Sequence, residues 1–215
     1  LPVGTLVPPD LESSDPLFAY KVGVLYKPRA NGSIYLSYAT SQHPPGGNNF
    51  TLSTATTGNN AVNNPNVDPQ KSSNVELGTK WDLNDGALAV TGAIFRSENE
   101  NDLVQNDPTD PSAIQQQGKK RVQGIELGVV GRVTDAWELS AGIAKLDTEV
   151  LEGTAIQNGA QINWSPELTF TSWTTYDLPF GLTLGAGVRY VDTVFRQINN
   201  NSAPGANPPN TPQAP

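Results

Sequence analysis

Apolar and polar residues alternate over eight stretches of this chain, and no other feature of the sequence constrains its fold as strongly. In residues 74–83, Val75, Leu77, Thr79, Trp81 and Leu83 occupy every second position, with polar residues or glycine between them. A period of two is typical of β-strands, because successive side chains point to opposite faces of the sheet. The alternation predicts eight strands: Phe18–Lys27, Ser33–Thr40, Asn74–Leu83, Ala87–Ser97, Val122–Val133, Trp137–Thr148, Glu167–Tyr176 and Leu182–Asp192.

The links between these strands alternate in length. Tight turns rich in Gly, Asn and Asp are predicted at residues 28–32, 84–86, 134–136 and 178–181, whereas long polar links run through 41–73, 98–121, 149–166 and from Thr193 onward. Short turns on one side and long loops on the other are typical of transmembrane β-barrels, with the turns in the periplasm and the loops outside. We therefore predict an all-β fold, an antiparallel transmembrane β-barrel to which this chain contributes about eight strands.

The composition agrees with a barrel and excludes other classes of protein. Hydrophobic residues make up 36% of the chain, which suffices when only alternate strand residues face lipid. The chain has no Cys, no Met and one His, so disulfides, thiolate metal sites and multi-histidine metal centres are excluded. A net charge of −8 argues against nucleic acid as a partner.

Aromatic residues are predicted to form two girdles where the barrel meets the membrane surfaces. The turn-end girdle comprises Tyr26, Trp81, Trp137, Tyr176 and Phe180, and the loop-end girdle comprises Phe18, Tyr20, Tyr38, Phe95 and Tyr190. The opposite phase carries Lys21, Glu76, Lys80, Glu126, Arg132, Glu138 and Arg189, which are predicted to face the lumen. Both faces of the predicted strand Ala87–Ser97 are apolar, so its phase stays open.

Four segments, in this order, resemble the barrel of TonB-dependent siderophore receptors, which are outer-membrane transporters for ferric chelates. They are Tyr20–Ser41 (YKVGVLYKPRANGSIYLSYATS), Asp68–Trp81 (DPQKSSNVELGTKW), Arg121–Trp137 (RVQGIELGVVGRVTDAW) and Ser165–Asp192 (SPELTFTSWTTYDLPFGLTLGAGVRYVD). Together they span most of Lys21–Asp192. The resemblance implies a barrel of about 22 strands with a lumen filled by a separate plug domain.

The resemblance also implies a function and a place in the cell. We expect a multi-pass protein of the bacterial outer membrane that binds and imports ferric siderophores with energy from TonB, and that is not an enzyme. Iron(III) would arrive as part of the substrate, with no resident cofactor. Expected partners are the ferric siderophore, the TonB complex through an N-terminal region missing here, and outer-membrane lipid including lipopolysaccharide. Residues 1–215 are expected to be part of the barrel domain, with strands over about 18–192, the start of an extracellular loop at 193–215 and no plug domain.

Anionic, bulky ligands call for basic and aromatic groups near the outer mouth of such a barrel. The candidate ligand-binding residues are His43, Phe50, Lys119, Lys120, Arg121, Trp164, Arg189, Tyr190 and Arg196. The alternative for these residues is that they keep the loops soluble or contact lipopolysaccharide phosphates rather than the ligand. The acidic residues around Glu98–Asp110 suit solvated charge better than a calcium site, and we expect no catalytic or metal-binding residues.

Two other functions stay open at this stage. A passive porin-type channel would need an unplugged lumen and a constricting loop with opposed charges. A surface receptor or adhesive barrel without transport would use the long loops for contact with other molecules.

Overall fold

A computed structural model describes residues 16–44, 51–52, 61–62, 68–105, 114–198 and 212–213, and within these it is almost entirely β-strand. The strands are β1 (Lys21–Arg29), β2 (Gly32–His43), β3 (Thr51–Leu52), β4 (Ala61–Val62), β5 (Gln70–Leu83), β6 (Leu88–Gln105), β7 (Ile114–Thr134), β8 (Trp137–Glu152), β9 (Leu168–Asp177), β10 (Thr183–Val191), β11 (Val194–Phe195) and β12 (Pro212–Gln213). A single 3-10 turn occupies Asn84–Gly86, and no described helix is long and apolar enough to cross a membrane.

Eight strands form one antiparallel sheet in the order β1-β2-β5-β6-β7-β8-β9-β10. The all-β fold and the eight predicted strands are confirmed. The sheet is open, with β1 and β10 at its two edges. The tight turns lie where they are predicted, and Asn84 and Asp85 adopt the positive φ that Asn and Asp tolerate better than most residues.

The longest strands extend well past the predicted ones. Residues 98–121 were expected to form a loop, but β6 continues to Gln105 and β7 begins at Ile114. Backbone pairing persists through Glu98↔Arg121 and Glu100↔Lys119. The prediction of a loop is wrong because both faces of these extensions are polar, so the alternation that identifies a half-buried strand disappears while the hydrogen-bonded ladder continues.

Registers between strands place every second residue on a common face. Val24, Leu36, Leu77, Ile94 and Ile125 lie opposite one another across five consecutive strands. We call this side the apolar face and the opposite side the polar face. The apolar band is the apolar-face set Val22, Val24, Tyr26, Ile34, Leu36, Tyr38, Val75, Leu77, Leu88, Val90, Ile94, Ile125, Leu127, Val129, Leu139, Ile143, Phe170, Leu184 and Val188.

The apolar band is exposed rather than packed into a dry protein interior. Leu77, Ile125, Leu127 and Leu184 have 45%, 52%, 56% and 54% of their surface exposed. Among the described residues, the buried hydrophobic side chains are Val104, Val150, Ala160 and Val194, none of which belongs to the band. A broad exposed apolar surface on one face of a sheet suits contact with lipid hydrocarbon.

The register also settles the phase of β6. Leu88, Val90 and Ile94 lie on the apolar face, whereas Phe95 lies on the polar face opposite Glu76 and Gly124. Placing Phe95 in the loop-end girdle is therefore wrong. Its ring instead approaches Gly124, whose added Cβ would lie 3.3 Å from Cζ of Phe95.

Four residues of the predicted turn-end girdle share one face of the sheet. Tyr26, Trp81, Trp137 and Tyr176 all lie on the apolar face. The indole Nε1 of Trp81 donates to Thr79 Oγ1 and that of Trp137 to Thr174 Oγ1, both at 2.7 Å. Satisfied indole N–H groups let these rings lie at a boundary between hydrocarbon and water.

Candidate ligand-binding surface

The polar face carries charges along its whole length. Lys21, Glu76, Lys80, Glu126, Arg132, Glu138 and Arg189 all lie on this face, as the alternation predicts. Within the part of the chain that the structure describes, none of these seven forms an ion pair. Glu76 and Lys80 instead contact Tyr35, and the other five charges are open to water or to a further partner on the polar face.

Tyr35 organises the middle of the polar face. Its hydroxyl donates to Glu76 Oε1 at 2.6 Å, and Nζ of Lys80 lies 6.0 Å from the centre of its ring. The ring lies across Gly78, where an added Cβ would come within 2.3 Å of Cζ. Glycine at position 78 thus allows the tyrosine to lie flat against the sheet.

A hydrogen-bonded polar cluster lies toward the loop end of the polar face. Gln70 Nε2 donates to Asp102 Oδ1 at 2.7 Å, and the ammonium of Lys120 lies 2.5 Å from Asp102 Oδ2. Ser72 Oγ donates to Asn99 Oδ1 at 3.0 Å. His43 is the register partner of Gln70 and so lies beside this cluster. Asp102 joins it because the β6–β7 register shifts around Asn101, a residue with φ of 65°.

The segment between β8 and β9 covers the loop end of β8. Gly159 N donates to Val150 O at 2.8 Å, Val150 N donates to Ala160 O at 2.9 Å, and Ile162 N donates to Thr148 Oγ1 at 3.1 Å. Thr148 and Val150 lie on the polar face and are only 6% and 2% exposed. Residues 153–167 thus form an ordered cover at the rim where loops meet the polar face.

The same cover is tied to the chain that follows β10. Trp164 N donates to Phe195 O at 2.9 Å, and Val194 beside it is buried. Trp164 has a positive φ of 58° and an exposed side chain. This bond brings the segments that carry Trp164 and Arg196 together, as a mouth-facing site would require.

The candidate ligand-binding residues divide into three groups. His43, Lys120 and Arg189 lie on the polar face, whereas Lys119, Arg121 and Tyr190 lie on the apolar face. Trp164 and Arg196 lie in the joined loop segments, and Phe50 is outside the described residues. The polar face therefore carries only part of the predicted set, and within it His43 on β2 and Arg189 on β10 lie near opposite edges of the sheet.

Three of the apolar-face cations above the apolar band are held by carboxylates of the same or an adjacent strand, whereas Lys71 forms no ion pair among the described residues. Lys119 Nζ lies 2.9 Å from Glu98 and 2.8 Å from Glu100, Arg96 pairs with the same Glu98, and Arg121 pairs with Glu149. Hydrogen bonds to Glu100 and Glu98 raise the pKa of Lys119 to about 12. The hydrogen bonds from Lys119 and Arg96 lower the pKa of the Glu98 carboxyl below its ordinary value.

Trp173 is a polar-face aromatic that the sequence reasoning missed. It is 56% exposed, and its ring lies over Gly185 and Gly187, where an added Cβ would come 3.0 Å from Cζ2 and 2.7 Å from Cε3. A signal was present, because Trp173 is the one aromatic at an out-of-phase position of β9, between Thr171 and Thr175. The contact between Asp102 and Gln70 was not predicted, because both residues lie in segments that were expected to be loops.

No group of three or more His, Asp or Glu side chains is arranged to hold a metal ion in the ranges that the structure covers. Glu98 and Glu100 are engaged by Lys119, and Asp102 by Lys120. The surface therefore offers hydrogen bonds, charge and aromatic faces to a ligand.

Known proteins match this chain over most of its length. A family described as TonB dependent receptor-like, beta-barrel, matches residues 4–213. The catecholate siderophore receptor Fiu of Escherichia coli (strain UTI89 / UPEC) is 40% identical over 189 residues, which cover 87% of this chain and 24% of that protein. The probable TonB-dependent siderophore receptor PiuA of Acinetobacter baumannii is 41% identical over 192 residues, or 84% of this chain and 25% of PiuA.

Solved structures match as well. The closed-form crystal structure of the ferric-catecholate import receptor Fiu from E. coli K12 superposes with a TM-score of 0.72 and 37% identity, covering 85% of this chain and 26% of that one. The chain spans about a quarter of the length of the relatives it matches.

Proposed function

Because the chain belongs to the TonB-dependent receptor β-barrel family, we propose that it serves in the uptake of ferric siderophores across a bacterial outer membrane, with energy delivered through TonB. Its role is binding and transport rather than catalysis. Support comes from relatives about 40% identical whose names are those of siderophore receptors. The exposed apolar band supports the membrane setting, because its alternate residues suit contact with lipid.

We further propose that residues 1–215 belong to a single barrel domain and that β1 and β10 pair with further strands in the membrane. The two edges of the sheet present unpaired backbone N–H and C=O groups. Unsatisfied backbone groups in hydrocarbon cost several kcal/mol each, so a membrane sheet must close on itself.

The ligand site we propose lies at the loop end of the polar face. It comprises His43 and Arg189 on strands and Trp164 and Arg196 in the joined loops. Lys120 lies on the same face but is paired with Asp102. Lys119, Arg121 and Tyr190 point to the apolar face, so we propose that they do not contact the siderophore. Phe50 stays a prediction from the sequence.

The proposed substrate class is the ferric catecholates. The relatives named above as catecholate receptors support this class. Such chelates are anionic, because several catecholate dianions outweigh the charge of iron(III), and the arginines of the site offer two-pronged hydrogen bonds to anionic oxygens. Arg189 makes no ion pair with any residue that the structure describes, so its guanidinium is available to a ligand.

The test uses the full-length gene product in a strain that lacks other ferric-siderophore receptors. Uptake of radiolabelled iron as a ferric catecholate is expected, and uptake should stop when TonB is deleted. Equal uptake without TonB, or uptake of a ferric hydroxamate alone, would contradict the proposal. Single-channel conductance in planar bilayers distinguishes a porin from the proposed receptor, because a receptor with a filled lumen should conduct almost no current.

A matched pair of cations tests the site itself. Arg189→Ala removes a charge from the polar face, and Lys145→Ala removes one from the apolar face, and neither residue forms an ion pair among the described residues. We expect about 10-fold weaker binding of the ferric catecholate for Arg189→Ala, as for loss of one charged hydrogen bond. Lys145→Ala should bind like the wild type.

A further inference from the structure

Trp173 exposes an aromatic ring on the polar face. It lies midway along β9, directly opposite Gly187 of β10, and 56% of its surface is exposed. An added Cβ at Gly187 would come 2.7 Å from Cε3 of the ring, and one at Gly185 would come 3.0 Å from Cζ2. Because the two glycines leave this space, the ring lies flat across β10 and its other side points away from the sheet.

The indole N–H of Trp173 differs from those of the turn-end girdle. Trp81 and Trp137 each donate to a threonine hydroxyl at 2.7 Å. Trp173 donates no side-chain hydrogen bond to any residue that the structure describes. An aromatic face and a hydrogen-bond donor are therefore both open on this part of the polar face.

Arg189 lies next to this ring. It is the register partner of Thr171, whereas Trp173 lies opposite Gly187, so the two side chains are diagonal neighbours on one face. Diagonal neighbours in an antiparallel pair lie about 7–8 Å apart. Arg189 forms no ion pair within the described ranges. A free guanidinium and an open aromatic face thus lie side by side, which suits a ligand that is both anionic and aromatic.

The polar face of β9 and β10 around Trp173 carries no carboxylate. Over residues 169–175 and 185–191, the side chains on this face are neutral except for that of Arg189. On the neighbouring β8, Glu138 lies opposite Thr175, on the turn side of Trp173. The surface from the loop end down to Trp173 on these two strands therefore has a positive charge and no negative one.

The polar face of β5 and β7 has a different charge. Glu76 and Glu126 lie on it, and neither carboxylate forms an ion pair with a described residue. An anionic solute is repelled by such carboxylates and attracted by an arginine. The part of the polar face on β9 and β10 is thus better suited to an anion that moves from the loop end toward the turns.

We propose that Trp173 and Arg189 form a transit site for the ferric catecholate below the ligand site at the loop end. An aromatic ring of the chelate stacks on the indole while its anionic oxygens stay within reach of the guanidinium. The inference rests on the proposed function and adds a residue that acts in passage through the protein. Because Trp173 lies on the turn side of Arg189, it affects the rate of passage and not the affinity of the loop-end site.

The test uses the full-length protein in a strain without other ferric-siderophore receptors. Binding of a radiolabelled ferric catecholate to cells that lack TonB gives the dissociation constant of the loop-end site. Initial uptake rates by cells with TonB, over a range of concentrations, give the maximal rate. The variants are Trp173→Ala and Trp173→Phe. Phe170→Ala is the matched control, because Phe170 is an aromatic residue of the same strand on the apolar face.

Trp173→Ala is expected to lower the maximal uptake rate about fivefold, as for loss of one aromatic contact, and to leave the dissociation constant unchanged. Trp173→Phe should keep most of the rate, because phenylalanine restores a ring. Phe170→Ala should behave like the wild type in both measurements. Heat-dependent mobility on denaturing gels checks that each variant is folded.

A second pair of variants tests the charge beside the ring. Ser140 of β8 is the register partner of Trp173. Ser140→Glu places a carboxylate next to the ring and should lower the maximal rate, whereas the neutral Ser140→Gln, which is nearly the same size, should not. Equal uptake rates in these two variants would contradict the passage of an anion along this part of the polar face.

Four results would overturn the role of Trp173. They are an unchanged uptake rate in Trp173→Ala, an equal loss of rate in Phe170→Ala, a rise in the dissociation constant that matches the fall in rate, and current through Trp173→Ala in planar bilayers. Such a current would mean that the ring holds the domain that fills the lumen. Each of these results leaves the proposed function standing when the wild type takes up ferric catecholate. A wild type without TonB-dependent uptake would refute the proposed function and the transit site together.

Discussion

The charges on the two faces of the sheet are neutralised in different ways. On the apolar face above the band, Arg96, Lys119 and Arg121 pair with carboxylates of the same or adjacent strands. On the polar face, Glu126, Arg132 and Glu138 form no ion pair with a described residue, although Arg132 and Glu138 are register partners. Most cations of the apolar face above the band are thus paired within the sheet, with Lys71 as the exception, whereas on the polar face Lys120 is paired with Asp102 and the charges nearer the turns are not paired with a described residue.

The different pairing of charges on the two faces fits the proposed function. A surface that projects above a bilayer gains order when its charges are tied together in a network across strands. A lumen wall that must contact a ligand or a filling domain keeps its charges available. Under the proposed function, the apolar face would anchor the sheet in the membrane and the polar face would contact the ligand.

The largest expected effect comes from placing a charge in the apolar band. Leu127→Arg puts a guanidinium against hydrocarbon between Gly92 and Ile143, and we expect it to lower the free energy of unfolding by about 2–4 kcal/mol. Urea unfolding in lipid vesicles measures this change.

The neighbouring Glu126→Arg is the matched control, because residue 126 lies on the polar face. Its cost should stay within about 0.5 kcal/mol, as for a solvated surface position. Similar costs at both positions would mean that the two faces do not meet different solvents.

Glycine substitutions test how tightly side chains pack on each of the two faces. Gly78→Ala would bring a Cβ within 2.3 Å of the Tyr35 ring on the polar face and displace that ring from its bond with Glu76. We expect a loss of about 1–2 kcal/mol in the same unfolding measurement.

Gly92→Ala provides the apolar-face counterpart. Its Cβ would meet the end of the flexible Leu127 side chain at 3.1 Å, which can move into lipid. The expected change is within about 0.5 kcal/mol. A larger cost for Gly92→Ala than for Gly78→Ala would contradict the packing described for the two faces.

Removing one arginine from each face should separate stability from binding. Arg121→Ala leaves Glu149 without its partner, and we expect about 1 kcal/mol of destabilisation with siderophore affinity unchanged. Arg189→Ala should leave the unfolding free energy unchanged while lowering affinity. Parallel unfolding and binding measurements on both variants check this prediction. A loss of siderophore affinity in Arg121→Ala would contradict the assignment of the ligand site to the polar face.

The smallest expected effect is the pH dependence of the ion-pair network. The pKa of Glu98 is lowered by Lys119 and Arg96, so its contribution is present above pH 4.5 and is lost as the pH falls through the depressed value. The pKa of Lys119 is raised to about 12, so its contribution is complete below pH 10.5 and is lost as the pH rises through about 12.

Hydrogen exchange of the β6–β7 extensions, corrected for intrinsic rates, measures this dependence. Protection should be constant from about pH 5 to about pH 10 and should fall in acid. Glu98→Gln should abolish the response to acid, and a wild-type profile in this variant would show that the network does not order the extensions.

The sequence predicted the membrane-facing part of the fold well and the part above it poorly. Alternation located all eight strands and assigned Val75, Leu77 and Leu83 to one face, because lipid selects apolar residues at every second position. It missed the continuation of β6 to Gln105, because residues 98–102 are polar on both faces and show no alternation. It also left Phe95 without a face, since both phases of β6 are apolar.

The candidate site was predicted by residue type but not by position. Basic and aromatic residues near predicted loop ends formed a reasonable set, and His43, Lys120 and Arg189 do lie on the polar face. Residue type and closeness to a loop do not reveal that the side chains of Lys119 and Arg121 lie on the apolar face. A shift of one position reverses the face of a strand residue, and the predicted strand boundaries were not accurate to one position.

The sequence by itself determined the eight strands of the main sheet, the tight turns and the face that meets lipid, because each of these depends on local alternation and local turn chemistry. The tertiary structure decided which charges meet. Lys119 reaches Glu98, and Arg121 reaches Glu149, across a register that is set by backbone pairing between strands. It also decided that residues 153–167 cover Thr148 and Val150, since that contact depends on hydrogen bonds between segments rather than on any pattern within one.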